Sequence, residues 1–187
     1  IGELVHRNAE EQREKHRLEV KALQEQINPH FLYNTLECIR SMASIYKADE
    51  IAQISHSMAR MFRYSVKEGS VVTIESELTC VKDYFNVMTI RYMHMFTLKQ
   101  NVDERIKGYK IQKMTLQPIV ENAIVHGLTR KTGHNACLYI KGYFDEQSDI
   151  VIKIIDNGKG MSEEDVAQVN SQLSTDMAVQ SPGASKG

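Results

Sequence analysis

The sequence predicts an α+β protein, in which an N-terminal hairpin of two helices is followed by an α/β sandwich. Residues 20–66 carry apolar side chains at the three- and four-residue spacing of amphipathic helices. Apolar runs rich in β-branched residues occur only after residue 70, where they alternate with further helical patterns. Such a mixture is typical of a sheet with helices packed on one face. We place the boundary at Glu68-Gly69-Ser70, which gives domains of residues 1–68 and 69–187.

The first domain is predicted to be a helical hairpin. Its first helix runs to about residue 46, and its second spans roughly residues 50–66, after a break in which Asp49 is a candidate N-cap. The second helix carries an apolar stripe formed by Ile51, Ile54, Met58, Met61 and Phe62. Two antiparallel helices alone cannot bury such stripes on both sides, so we expect the hairpin to dimerise into a four-helix bundle.

Upstream of the hairpin, residues 1–26 contain one Gly and no Pro and are rich in charged residues and Gln. Val20, Leu23 and Ile27 follow a heptad-like spacing. We interpret this segment as a signalling helix continuous with the first hairpin helix, and a solvated free helix is the alternative. Because Pro29 cannot donate a hydrogen bond to the carbonyl of Glu25, we expect the continuous helix to bend there.

The second domain is predicted from alternating strand and helix patterns. Strands are expected at residues 71–74, 96–102, 137–144 and 150–155, the last two joined as a hairpin. Helices are expected at residues 75–93 and 116–127, and from residue 162 to about residue 173. The polar remainder, residues 174–187, contains Pro182-Gly183 and is predicted to form a mobile lid.

The predicted helix at residues 116–127 has a polar side that burial does not explain. Pro118 lies in its first turn, where a missing N–H costs little, and Gly127 lies near its end. At about 100° per residue, Asn122 and His126 lie opposite the apolar face. That face consists of Val120, Ala123, Ile124 and Gly127. An Asn in this position is either a hydrogen-bonded structural residue or a ligand.

A second motif, Asp156-Asn157-Gly158-Lys159-Gly160-Met161, follows the predicted strand at residues 150–155. It places a carboxylate at a strand end, beside glycines whose backbone can approach a ligand closely. A carboxylate there can accept the exocyclic amine of adenine, and the amide oxygen of Asn122 can help to hold a magnesium ion that bridges phosphates. The alternative is an ordinary turn, because Asn-Gly is among the commonest turn dipeptides.

A third motif lies upstream of both, in the helical pattern of the first domain. It reads Gln26-Ile27-Asn28-Pro29-His30-Phe31-Leu32-Tyr33-Asn34. With the two later motifs in this order, the chain resembles bacterial sensor histidine kinases of the family that has this phosphoacceptor segment and includes the autolysis-regulating sensors. The resemblance extends from about Leu23 to Met161 and includes the stretches at residues 62–65, 74–78 and 91–92.

The resemblance implies a role for each motif. His30 is the residue phosphorylated from ATP, which agrees with the nucleophilicity of a neutral imidazole near pH 7. The nucleotide-binding candidates are Asn122, His126, Asp156, Gly158 and Gly160, of which Asn122 is also the magnesium ligand. The implied cofactors are ATP and Mg²⁺. The implied partners are a second copy of the chain and a response regulator, whose aspartate receives the phosphoryl group.

Three positions depart from patterns in related enzymes. Phe31 follows His30 where many histidine kinases have an acidic general base, so the base is unassigned, with Glu37 and solvent as candidates. Asn34 lies where related kinases carry a residue that orients water for dephosphorylating the partner, and packing against a neighbouring helix is the alternative. Pro118 occupies the position of the water-activating Glu in related ATPases, which favours phosphoryl transfer over simple hydrolysis.

Composition argues against several classes of protein. The 187 residues are 42% hydrophobic and 25% charged with a net charge of −1, and they show no basic stripe that would bind nucleic acid. The three cysteines, Cys38, Cys80 and Cys137, lack metal-binding spacing and are expected to be buried or idle thiols. No apolar run approaches the roughly 18 residues that a membrane-spanning helix needs.

The resemblance further implies the cytoplasmic portion of a bacterial membrane-anchored sensor, attached to the membrane only through upstream segments that are missing from this sequence. The family's second Gly-rich box would begin at about Lys186-Gly187, so we expect an ATP-binding domain truncated at its C-terminal end. Two other functions stay open at this point. One is a serine kinase or ATPase on the same nucleotide fold, and the other is a non-catalytic dimeric signalling adaptor.

Overall fold

The structure, a computed structural model, describes residues 28–67, 69–130 and 136–180. A helical hairpin precedes a domain of mixed helix and sheet, which confirms the predicted α+β class. The predicted signalling helix at residues 1–26 and the possible second Gly-rich box at Lys186-Gly187 lie outside the described residues. Within the described ranges, no helix combines the length and the apolar character needed to cross a bilayer.

The hairpin consists of α1, Pro29–Ile45, and α2, Asp49–Val66. Asn28 is the N-cap of α1: its backbone is extended, with φ −61° and ψ 105°, and its Oδ1 accepts the N–H groups of His30 and Phe31 at 3.1 and 3.2 Å. Pro29 occupies the first helical position, where a missing N–H costs nothing. The prediction of a continuous helix that bends at Pro29 is therefore wrong, because the extended Asn28 backbone interrupts the helix.

The turn between the two helices also differs from the prediction. Lys47 is left-handed, with φ 55°, and Ala48 rather than Asp49 is the N-cap of α2. Ala48 has no side-chain acceptor, so Asp49 and Glu50 stabilise the helix start through their charges in the first turn. The buried side chains of the hairpin are mostly small, which lets the helix axes approach closely. They are Leu36, Ala43, Ser55, Ser57 and Ala59.

The second domain alternates strands and helices. In chain order it contains β1 (Val71–Thr73), α3 (Ile74–Arg91), β2 (Phe96–Val102), β3 (Lys110–Gln112), α4 (Leu116–Asn122), β4 (Ala136–Phe144), β5 (Ile150–Asp156) and α5 (Glu163–Gln180). β1 and β3 form a small antiparallel sheet with Val72 opposite Ile111. The β3 strand was not predicted, because three residues are too few to show a strand period.

β2, β4 and β5 form a mixed sheet in that spatial order. β2 is parallel to β4, with Phe96 opposite Ala136, and β4 is antiparallel to β5, with Leu138 opposite Asp156. The hairpin predicted between the last two strands is confirmed. The bounds of all three strands agree with the predicted bounds to within one residue.

The core lies between one face of this sheet and the helices α3 and α4. Buried core residues include Ile74, Leu78, Val81, Phe85 and Met88 of α3, Leu116 and Val120 of α4, and Leu138 and Ile140 of β4. On the opposite face of the sheet, Lys141 and its cross-strand partner Lys153 are exposed. Helices on one face of a mixed sheet are the predicted α/β sandwich.

The helix α5 begins at the predicted capping box. Ser162 Oγ donates to Asp165 Oδ2 at 2.7 Å and accepts the Asp165 N–H at 3.1 Å. The helix continues to Gln180 instead of ending near residue 173. Residues 174–180, which were predicted to belong to a mobile lid, are helical, and the absence of Gly and Pro among them permits this. Residues 181–187 lie outside the described part of the chain.

Candidate functional site

Asn122 and His126 are both exposed, as the helical period predicts. Val120 and Ile124 are fully buried and attach the segment to the core. The α-helix α4 ends at Asn122, and the chain continues as a π-helical turn, Ala123–Gly127. Single π-helical turns inside helices are rare and occur frequently at functional sites. The sequence patterns did not predict this turn.

The two later motifs meet at Gly127. A β-carbon on Gly127 would lie 2.7 Å from Asp156 Oδ1, and one on Gly158 would lie 2.6 Å from the Gly127 Cα. The N–H of Lys159 also donates to the Gly127 carbonyl at 3.4 Å. Residues 116–127, which we call the Asn122 segment, therefore pack through their last residue against the strand end at Asp156. Glycine is needed on both sides of this contact.

Asp156 is exposed and oriented by its own loop. Its Oδ1 accepts the N–H of Gly158 at 2.8 Å, which leaves the second carboxylate oxygen able to accept from a ligand. Asn157 ties the loop to β4, since its Oδ1 accepts the Cys137 N–H at 2.8 Å. Gly160 is left-handed, with φ 73°, a conformation that a side chain would strain. The candidate adenine-binding residues thus lie on one short, constrained loop.

His30 is exposed in the first turn of α1 and contacts Asn34. The side-chain nitrogen of Asn34 lies 3.2 Å from Nδ1 and 3.4 Å from Nε2 of His30. The two predicted catalytic residues are therefore neighbours, one helical turn apart.

Glu37, one of the two candidate bases, is engaged by a different residue. Its Oε2 lies 2.8 Å from Nη2 and 2.9 Å from Nε of Arg40. The structure thus pairs this carboxylate with Arg40. The Arg63 guanidinium lies 4.2 Å from the centre of the Tyr33 ring, a contact that joins α1 to α2.

His30 lies on the hairpin, and Asp156 lies in the second domain. Polar contacts between α2 and the second domain connect these two parts of the fold. Arg60 Nε lies 3.1 Å from Oδ2 of the buried Asp83. Burial raises the pKa of Asp83, and the nearby Arg60 charge acts in the opposite direction. A second contact joins the Tyr64 hydroxyl to the Glu77 carboxylate.

Tyr64 and Glu77 lie in stretches that the family resemblance includes, but the sequence patterns predicted no role for either residue. One signal could have identified Glu77. It lies within the buried face of α3, between Ile74 and Val81, where a carboxylate is out of place unless it has partners.

Comparison with known proteins is consistent with this arrangement of motifs. Residues 18–96 match the sequence model of a family described as histidine kinase. The chain is also 35% identical over 162 residues to the sensor histidine kinase YesM of Bacillus subtilis (strain 168). That alignment covers 86% of this chain and 28% of YesM. Similarity to a bacterial sensor histidine kinase therefore extends over most of this chain.

A second relative aligns over nearly the whole chain. The sensor protein kinase HptS of Staphylococcus aureus (strain USA300) is 29% identical over 177 residues, covering 94% of this chain and 33% of HptS. The chain thus spans only about a third of the length of these curated relatives. Among solved structures, the histidine kinase domain from the Erythrobacter litoralis EL346 blue-light activated histidine kinase matches with 10% identity and a TM-score of 0.37, covering 73% of this chain and 74% of that one.

Proposed function

We propose that this chain carries the phosphoacceptor hairpin and most of the ATP site of a two-component sensor kinase. ATP phosphorylates His30, and the phosphoryl group then passes to an aspartate of a response regulator. The observation that carries this proposal is the contact between Gly127 and Asp156, because it joins the Asn122 segment to the acidic strand end. The specific relation to autolysis-regulating sensors remains a prediction from the phosphoacceptor segment.

The exposed polar groups fit a magnesium–nucleotide complex. Asp156 offers a carboxylate oxygen to the adenine amine, while Asn122 and His126 are exposed on the segment that contacts it. Among the described residues, no three His, Cys, Asp or Glu side chains gather as a metal site. Mg²⁺ commonly takes its ligands from phosphates and water plus one or two protein oxygens. Asn122 would supply a protein oxygen, and the ion would neutralise charge on the phosphates.

For phosphoryl transfer to His30, the protein needs mainly to position the reactants and to neutralise charge on the phosphates. A lone pair on one ring nitrogen attacks the γ-phosphorus, the bond to the bridging oxygen breaks, and ADP leaves with that electron pair. The proton on the other ring nitrogen is then released to solvent. Asn34 contacts the ring, and we propose that it orients water when the regulator is dephosphorylated.

The hairpin has the surface of a dimerising module. Ile45 and Tyr46 are each 77% exposed, and further large apolar side chains are exposed along both helices. They include Phe31, Ile39, Met42, Ile51 and Met58. Contiguous exposed apolar surface on a helical hairpin is typical of an interface. A second copy of the chain would bury this surface in a four-helix bundle.

We further propose that this chain comes from the cytoplasmic portion of a membrane-anchored bacterial sensor; both relatives are named as sensors. The full-length protein should be tested with γ-labelled ATP and Mg²⁺. We expect label that is stable in alkali and labile in acid, and that maps to His30. His30→Gln should abolish it, whereas His56→Gln, an exposed histidine on α2, should retain it.

Acid-stable label would instead identify a serine kinase. A lack of both label and ATP binding would indicate a non-catalytic adaptor.

A further inference from the structure

Glu77 is a charged residue in an apolar environment. Its exposed fraction is 1%, and its neighbours on the same face of α3 are the core residues Ile74, Leu78 and Val81. An ionised carboxylate is stable in such a place only if hydrogen-bond donors replace its lost water. The identity of these donors therefore shows what the residue holds in place.

Three donors from two parts of the fold meet at this carboxylate. The N–H of Met114 donates to Oε1 at 2.6 Å, and the N–H of Leu116 donates to Oε2 at 2.8 Å. The Tyr64 hydroxyl, near the end of α2, donates to Oε1 as well. Burial, and next the hydrogen bond to Glu77, raise the pKa of Tyr64, so its hydroxyl remains a donor.

On one side, Glu77 holds the start of the segment that carries Asn122. The N–H of Leu116 is one of the first in α4 and has no acceptor within that helix. Met114 is left-handed, with φ 63°, which is unfavourable for a residue with a side chain and persists only where contacts stabilise it. The bonds to Glu77 supply those contacts and set where α4 begins.

On the other side, the same segment is tied to the end of the hairpin. Lys113 Nζ donates to the backbone carbonyls of Ser65 at 2.9 Å and Lys67 at 2.7 Å, which lie at the C-terminal end of α2. The Lys113 ammonium also lies 5.3 Å from the centre of the Tyr64 ring. The end of α2 and the start of α4 thus share one cluster, formed by Tyr64, Glu77, Lys113 and Met114.

We propose that Glu77 is a positioning residue that couples the phosphoacceptor hairpin to the Asn122 segment of the nucleotide site. Movement of α2 would displace the Tyr64 hydroxyl, change the hydrogen bonding of Glu77 and shift the start of α4. The role of this coupling in phosphorylation rests on the proposed kinase function, although the coupling itself can be measured without catalysis.

The experiment compares three variants of the full-length protein. Glu77→Gln replaces one acceptor oxygen by an NH₂ group that faces a backbone donor. Tyr64→Phe removes only the donor from the hairpin. Glu75→Gln is the matched control, because Glu75 is an exposed carboxylate on the same helix. The measurements are amide hydrogen exchange at Met114 and Leu116, the Kd for ATP, and the rate of His30 phosphorylation at saturating ATP.

For Glu77→Gln we expect faster exchange at both amides and ATP binding weakened about tenfold, which corresponds to the loss of one hydrogen bond to a charged group. For Tyr64→Phe we expect faster exchange at Met114, an ATP Kd within about twofold of wild type, and phosphorylation slowed about tenfold. If Glu77 and Tyr64 had purely structural roles, the two variants would not divide their effects between ATP affinity and phosphorylation rate in this way.

Equal behaviour of Glu77→Gln and Glu75→Gln would overturn the proposal, as would Tyr64→Phe with unchanged exchange and rate. If Glu77→Gln does not fold, Tyr64→Phe decides. If wild-type protein never phosphorylates His30, the proposed function fails, and the exchange measurements still test the coupling.

Discussion

Oδ1 of Asp156 lies 2.7 Å from the position that a β-carbon on Gly127 would occupy. Gly127 ends the π-helical turn after Asn122, and Asp156 ends β5, so this contact joins two elements that are distant in sequence. The fit of the two motifs depends on the absence of a single methyl group.

Replacing Gly127 by Ala should therefore disturb both stability and nucleotide binding. We expect the free energy of unfolding to fall by about 1–3 kcal/mol, because the methyl group forces Asp156 or its loop to move. Urea denaturation measures the loss, and titration with an ATP analogue should show weaker binding. Gly108→Ala is the control, since no heavy atom lies within 4 Å of its added β-carbon. Equal effects of the two changes would contradict this explanation.

Asn28→Ala tests whether the phosphoacceptor helix starts at Pro29. Loss of the cap should destabilise the protein by about 1 kcal/mol, because the N–H groups of His30 and Phe31 lose their acceptor. Asn28→Ser keeps an acceptor and should cost much less. Thermal unfolding of the three proteins makes the comparison. If position 28 lay inside an uninterrupted helix, Ala there would stabilise the protein. A raised Tm for Asn28→Ala would therefore disprove the cap.

Ile45→Glu should separate the proposed dimer into monomers. This side chain is 77% exposed at the end of α1, and burying a carboxylate in the interface would oppose association. Sedimentation velocity of the full-length protein gives the oligomeric state. Met93→Glu is the matched control, because Met93 is 87% exposed in the turn after α3. A dimer that survives Ile45→Glu would place the interface elsewhere.

The cysteines should differ sharply in reactivity. Burial, followed by the charges of Glu77 and Asp83, raises the pKa of Cys80 to about 12. Its reactive thiolate is therefore scarce at pH 8 and increases only as the pH approaches 12. Exposed Cys38 should react first with iodoacetamide at pH 8, as followed by mass spectrometry. Both should react in urea, and native Cys80 reacting as fast as Cys38 would contradict the prediction.

Local sequence patterns predicted the long strands and the polar side of the 116–127 segment well, because those features depend on residue period alone. Errors arose where the patterns lacked information. The three-residue β3 strand is too short to show a strand period. The residues after Leu173 contain no helix breaker before Pro182, so part of the segment that was predicted as a lid is helical. At Pro29, the pattern predicted a bend in a continuous helix, whereas the Asn28 side chain caps a helix that starts there.

By itself, the sequence determined the order of the longer helices and strands and the residue types that suit phosphoryl chemistry, since periodicity and side-chain chemistry are local properties. Only the tertiary structure decided that Gly127 contacts Asp156 and that Tyr64 meets Glu77 and the start of α4. Such contacts depend on how buried faces of separate elements pack in three dimensions, and no spacing along the chain encodes that packing directly.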